Sequence, residues 1–160
     1  MAEQKQKLVT NLALIIDEDR ILLGKKKRGI GASRYNGYGG KVDPGETVED
    51  SLVREVFEES GLVLTKYEKI GVLQLETPLF DNEMHIFASN AFSGELRETP
   101  EMAPEWFSME NIPYDEMWQS DSLWYPYFLA GDKFVGRIVF DENDEVVESL
   151  IEPIAISGVL

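Results

Sequence analysis

Apolar residues alternate loosely from Leu8 to Ile16 and again from Arg20 to Lys25, on either side of the polar tripeptide Asp17-Glu18-Asp19. This is the pattern of two strands joined by a tight turn. The next regular pattern has a different period. Val48, Leu52, Val53, Val56 and Phe57 fall on one broad arc at about 100 degrees per residue, the spacing of an amphipathic helix. That helix should start near Thr47, whose hydroxyl can cap free amides, with Glu49 and Asp50 favourably placed in the first turn. Gly61 should end it, because a left-handed cap suits glycine. Leu62 to Glu76 then reads as extended, and Glu83 to Phe92 alternates as a further strand. Gly94 to Pro104 reads as a loop, Glu105 to Phe107 as a short strand, and Met109 to Ile112 as a turn before Pro113. From Trp118-Gln-Ser-Asp121 a helical stretch runs to about Ala130, with Pro126 early in it or kinking it. Phe134 to Phe140 and Glu145 to Ile151 make a last hairpin around Asp141-Glu-Asn-Asp144. This order predicts an α/β fold, one mixed sheet between two helices. The length of 160 residues suits a single domain, 1–160, with a two-layer core.

Carboxylates make the first helix unusual. Glu55, Glu58 and Glu59 are spaced i, i+3, i+4 and project within a turn of one another, and Glu59 falls inside the apolar arc beside Val48 and Leu52. Like charges so close repel and raise one another's pKa unless a positive charge sits among them. A hard divalent cation with oxygen ligands, Mg²⁺ or Mn²⁺, answers that need, and Arg54 can pair with a carboxylate or hold its orientation. An ordinary solvated acidic face is the bland alternative for the helix taken alone. Before it lies a long irregular segment, Gly29 to Gly40, of a length that in a compact domain is usually functional. It follows Lys25-Lys26-Lys27-Arg28, which can meet a phosphate chain or can guard an edge strand with charge.

Composition narrows the partners. The hydrophobic content of 43% and aromatic content of 11% are those of a globular chain. Cysteine is absent, which excludes disulfides and thiolate metal sites and favours a reducing compartment. A formal charge of −15 argues against a broad basic surface for nucleic-acid backbone. No apolar run has the length of a signal-peptide core at the N-terminus or of a bilayer span elsewhere, so a cytoplasmic protein is expected. The single histidine, His85, cannot build a zinc site alone and reads as structural or pocket-lining.

The stretch from Gly40 to Leu62 resembles the Nudix box, Gx5Ex7REUxEExGU with U aliphatic. Gly40, Glu46, Arg54, Glu55, Val56, Glu58, Glu59, Gly61 and Leu62 meet every fixed position. The resemblance implies the α/β/α sandwich of Nudix hydrolases and hydrolysis of a nucleoside diphosphate linked to another group, with Mg²⁺ and water. It implies metal binding by Glu55, Glu58, Glu59 and the Gly40 carbonyl, with Glu46 and Arg54 orienting them. A carboxylate takes the proton of a bound water, a role that different glutamates fill across the family, and Glu58 is expected to fill it here. Further segments resemble the MutT-homologue branch that removes oxidised purine nucleoside triphosphates. These are Leu22 to Ile30, Tyr35 to Lys41, and Met117-Trp118-Gln-Ser-Asp121-Ser-Leu-Trp124.

In that branch the residues matching Asn36 and Asp121 read the purine edge and the tryptophan matching Trp118 stacks on the base; Lys26 and Asn11 complete the substrate-binding set. The bland alternatives are a helix-entry core residue for Trp118 and a helix cap for Asp121. Glu101 reads either as an extra metal ligand or base, or as plain surface. Departures from the branch are Ser120 where an acid pair begins, Ile30 at an aromatic position and Asn11 at a threonine. The expected reaction is hydrolysis of 8-oxo-dGTP to monophosphate and pyrophosphate by a monomer or homodimer. ADP-ribose, dinucleoside polyphosphates, RNA 5′ ends and a silent nucleotide sensor are the alternatives.

Overall fold

The computed structural model describes residues 5–154. Eight strands and two helices follow in the order β1 (Gln6–Asp17), β2 (Arg20–Lys26), β3 (Tyr35–Asn36), α1 (Val48–Ser60), β4 (Leu62–Glu76), β5 (Phe80–Gly94), β6 (Met102–Ser108), α2 (Asp121–Leu129), β7 (Phe134–Phe140) and β8 (Val146–Pro153). One mixed sheet contains all eight strands, in the order β3-β2-β1-β5-β4-β7-β8, with β6 along β2. β1 runs parallel to β5, and β4 parallel to β7; the remaining pairs are antiparallel.

Alternation along β1 divides the core. Leu12 and Leu14 face one side, with Leu73, Ile86, Trp124, Tyr125, Phe134 and Ile138. Ala13 and Ile15 face the other, with Leu52, Val56, Phe87 and Met102. Each helix therefore covers one face of the sheet, as expected of the α/β/α sandwich. Thr47 caps α1 by accepting the Asp50 amide at 3.0 Å, and Gly61 closes it at φ 80° with its amide donating to the Phe57 carbonyl.

Three expectations are corrected. Gly94 to Pro104 is not all loop, because β5 runs to Gly94 and β6 begins at Met102, where pairing with Lys26 of β2 extends the strand. Of the two expectations for Pro126, early in α2 or kinking it, the first is corrected: it lies past the first turn, inside the helix. The buried side of α1 is rotated from the apolar arc: Leu52 and Val56 are buried, but so are Ser51 and Ser60, while Phe57 is 46% exposed beneath the Arg97 guanidinium. The rotation has a polar cause. Ser51 Oγ donates to the Lys41 carbonyl at 3.1 Å and accepts from Asn11 Nδ2 at 3.0 Å, so hydrogen bonding to the preceding loop sets the angle of the helix.

Candidate active site

Arg54 is the hub of the α1 face. Its Nε donates to Glu46 Oε2 at 2.7 Å and its Nη2 to Glu46 Oε1 at 2.8 Å, a bidentate pair. Its Nη1 donates to Glu55 at 3.1 Å and to Glu58 at 3.2 Å, and Nη2 lies 3.3 Å from Asp43. The fork that pairs with Glu46 holds that carboxyl down at about 2, assisted by the Asp43 amide. Glu46 is thus an anchor that stays charged and orients Arg54.

The rotation of α1 carries two carboxylates inward. The Glu55 side chain is 19% exposed, whereas Glu58 is 55% exposed. Glu59 lies deeper; burial, then the charge of Glu55, pushes its acid up to about 8, with Lys26 opposing. A Cβ on Gly40 would lie 2.5 Å from the Glu55 carboxyl carbon, so glycine lets the loop backbone close on that carboxylate. Among the described residues no three acidic or histidine side chains are gathered at metal-coordinating distance, and Arg54 is the cation to which Glu55 and Glu58 turn. The all-oxygen donors and the cost of charging buried Glu59 beside Glu55 nevertheless fit a hard divalent ion.

Asn11 holds the loop to the helix: its Oδ1 accepts the Gly40 amide at 3.1 Å while Nδ2 donates to Ser51. It is 3% exposed, with both ends of its amide engaged. Glu101 pairs with Arg28, whose Nε donates at 2.8 Å, and that pairing lowers the pKa of its carboxyl. His85 sits within the sheet with Nε2 2.9 Å from Glu83.

The other candidates lie on the α2 side and on the loop. Trp118 is half-buried just before α2, while the residues that fill the core there are Met117 and Trp124. Asp121 is 4% exposed and caps no amide; its Oδ1 accepts Trp124 Nε1 at 3.2 Å, and its Oδ2 is buried without a partner. Burial pushes its acid up to about 7 against the Trp124 and Trp118 N–H side and backbone interactions. The helix-cap alternative for Asp121 and the core alternative for Trp118 are therefore not what is observed. Asn36 lies on β3 opposite Gly24, its Oδ1 accepting the Gly37 amide at 3.0 Å.

One loop touches both groups. Gly31 and Arg34 lie against the Trp118 indole, and Gly40 lies against the Glu55 carboxylate. Tyr38, between them, and Lys41, just after Gly40, bridge to Ala13 and Thr10, which pins the loop along β1. Ser51, Asp43 and Arg34 were not singled out from the sequence. Only Asp43 carried a usable signal, an acid within the box three residues before Glu46.

An arginine-anchored set of helical carboxylates closed by a glycine loop defines a Nudix site, and a NUDIX domain model matches residues 6–128; the chain belongs to the Nudix hydrolase family. Enzymes of this family generally use a divalent metal ion. The chain is 43% identical over 152 residues to the oxidized purine nucleoside triphosphate hydrolase of Danio rerio, covering 92% of this chain and 96% of that protein. It is 42% identical over 140 residues to the Mus musculus protein of the same name, covering 85% and 88%. Its fold matches the Mutator MutT protein of Bacillus halodurans with a TM-score of 0.82 at 20% identity, over 91% of this chain and 97% of that one.

Proposed function

We propose that this chain is a Mg²⁺-dependent pyrophosphohydrolase of oxidised purine nucleoside triphosphates, 8-oxo-dGTP foremost, with Mn²⁺ able to substitute. The observation that carries this reading is the loop that touches Trp118 at one end and Glu55 at the other, so that a base and a phosphate chain can be held along one continuous backbone. The names of the fish and mouse relatives support the substrate class.

Glu55, Glu58, Glu59 and the Gly40 carbonyl would hold the metal, which when bound withdraws charge from phosphate oxygens and lowers the pKa of water. Glu46 keeps Arg54 in place, and Arg54 keeps Glu55 and Glu58 aimed. Glu58, the most exposed of the three, takes the proton of the attacking water. The water oxygen bonds to one phosphorus of the α–β anhydride, the bond from that phosphorus to the bridging oxygen breaks, and monophosphate and pyrophosphate are the products. Lys26 meets the phosphates, Trp118 stacks on the base, and Asn36 and Asp121 read its edge. Asp121 Oδ2 is suited to that task because it has no partner within the chain, and a carboxyl group can accept from the N–H groups of a guanine-type edge or, protonated, donate to its carbonyl. Asn11 acts through the loop, by fixing Gly40.

Among the described residues no helix is long and apolar enough to cross a membrane. The acidic, cysteine-free composition supports a cytoplasmic enzyme that clears free nucleotides before polymerases use them. Initial rates with Mg²⁺ for 8-oxo-dGTP, dGTP, dATP, dCTP, ADP-ribose and diadenosine tetraphosphate test the reading. Preference for 8-oxo-dGTP with pyrophosphate as product is expected. Preference for a dinucleotide, or release of orthophosphate from the triphosphate, would overturn it.

A further inference from the structure

The cations of the loop are not used alike. Lys27 pairs with Glu98 at 2.7 Å and Arg28 pairs with Glu101. Arg34 makes no ion pair among the described residues; its guanidinium carbon lies 4.2 Å from the centre of the Trp118 ring. The backbone that presents it is tightly determined. The Arg34 amide donates to the Gly31 carbonyl at 3.0 Å, the Ser33 amide to the Lys26 carbonyl at 2.7 Å, and the Lys26 amide to the Arg34 carbonyl at 3.0 Å. Ser33 holds φ 74°, a left-handed conformation unusual for a residue with a side chain, and Gly31 holds φ 81°. At Gly31 an added Cβ would lie 3.0 Å from Trp118 Cζ2 and 3.2 Å from its Nε1, so the turn also meets the indole with bare backbone.

We propose that Arg34 is a positioning residue for base binding: seated on the Trp118 ring, it fixes the plane of the indole against which the nucleobase stacks. An indole has two faces, and a planar guanidinium on one of them leaves the other for a base. The turn at Gly31 closes the ring edge, so Trp118 is located by the same loop that meets Glu55 through Gly40. A ring held only by its own rotamer preference would lose conformational freedom on each binding event; the Arg34 contact removes part of that loss beforehand.

This inference rests on Trp118 being the base platform, and the test separates the two claims. KM and kcat for 8-oxo-dGTP with Mg²⁺ are measured for Arg34→Ala, Arg34→Lys, Trp118→Ala, Trp118→Phe and the Arg34→Ala/Trp118→Ala double variant, each checked for folding by circular dichroism. Arg34→Gln serves should Arg34→Ala fail to fold. Arg34→Ala is expected to raise KM by about two- to fivefold, the range of an exposed cation–π contact, with kcat unchanged. Arg34→Lys, a point charge without a planar face, recovers part of the loss. In the Trp118→Ala background the arginine change has no further effect, whereas in Trp118→Phe, which keeps a ring, it does. An unchanged or lowered KM in Arg34→Ala, where Trp118→Ala raises it, overturns the positioning role. So does a several-fold rise that persists in the Trp118→Ala background, since Arg34 would then contact the nucleotide directly. An unchanged KM in Trp118→Ala instead overturns the base platform, and the role of Arg34 with it.

Discussion

On the α1 face the polar groups around Arg54 are tied to one another: five carboxylate and carbonyl partners converge on a single guanidinium, and Asn11 and Ser51 lock the loop to the helix. On the α2 face, Asp121 Oδ2 and the Tyr125 hydroxyl are buried with no partner, one helical turn apart on the same side of α2. A buried polar group without a partner costs about 1–3 kcal/mol; the α1 side carries one as well, the Tyr38 hydroxyl in the core beneath the helix. The difference separates two tasks. Chemistry needs charges already in place before the substrate arrives, whereas reading a base needs hydrogen-bonding capacity that the folded chain leaves unused.

The comparison can be broken most sharply at Gly40. Gly40→Ala would drive a methyl group into the Glu55 carboxylate, the movable end of a side chain. The fold should hardly notice, so the melting temperature stays within a few degrees, while kcat falls by about a hundredfold, the cost of an ångström-scale misplacement of a reacting group. Loss of stability with kcat retained would show that the contact is structural.

The rotated face of α1 supplies the next test. Ser51→Ala leaves the Lys41 carbonyl with only the long 3.5 Å contact from Arg54 and the Asn11 amide with only its 3.5 Å contact to the Val48 carbonyl, and should cost about 1–3 kcal/mol in urea denaturation. Phe57→Ala, a far larger truncation of a half-exposed ring, should cost only about 0.5 kcal/mol. The reverse ranking would restore the simple apolar arc.

A pH effect tests the α2 face. The carboxyl of Asp121 is raised by burial from its ordinary value of 3.8 to about 7 in the folded chain. A raised folded pKa contributes stability that is fully present below the unfolded value and is lost as pH rises through the folded one. The loss is at most about 1.4 kcal/mol per pH unit between roughly 4 and 7. Asp121→Asn, which does not titrate, should therefore gain in melting temperature over the parent as pH is raised from 5 to 8. A difference independent of pH would mean that burial does not raise the pKa of this carboxyl.

The contrast between the two faces also explains what could be read from the residues alone. The catalytic face is local in sequence: Gly40 to Leu62 contains the loop, the anchor, the arginine and the carboxylates, and helical spacing places them without knowledge of the rest. β4 was legible at both ends, Leu62 and Glu76, because Gly61 starts it and Thr77-Pro78 stops it. β6 was not, because Met102 to Pro104 becomes a strand only by pairing with β2, a partner more than seventy residues earlier. The tilt of α1 was misjudged for the same reason: apolarity favoured Phe57, but Ser51 is pulled inward by Asn11, forty residues away. On the α2 side Trp118 and Asp121 carry a signal only through family resemblance, and Arg34 carries none, because its contact with the ring exists only once the loop folds over Trp118.

The central claim is that one loop joins two separable subsites, and a single kinetic comparison with 8-oxo-dGTP addresses it most directly. Glu58→Gln should lower kcat by about a hundred- to ten-thousandfold with little change in KM. Trp118→Ala should raise KM by about five- to a hundredfold, the worth of one stacked base, with little change in kcat. Two variants that impair the same parameter to the same degree, or a Trp118→Ala enzyme with unaltered KM, would contradict it.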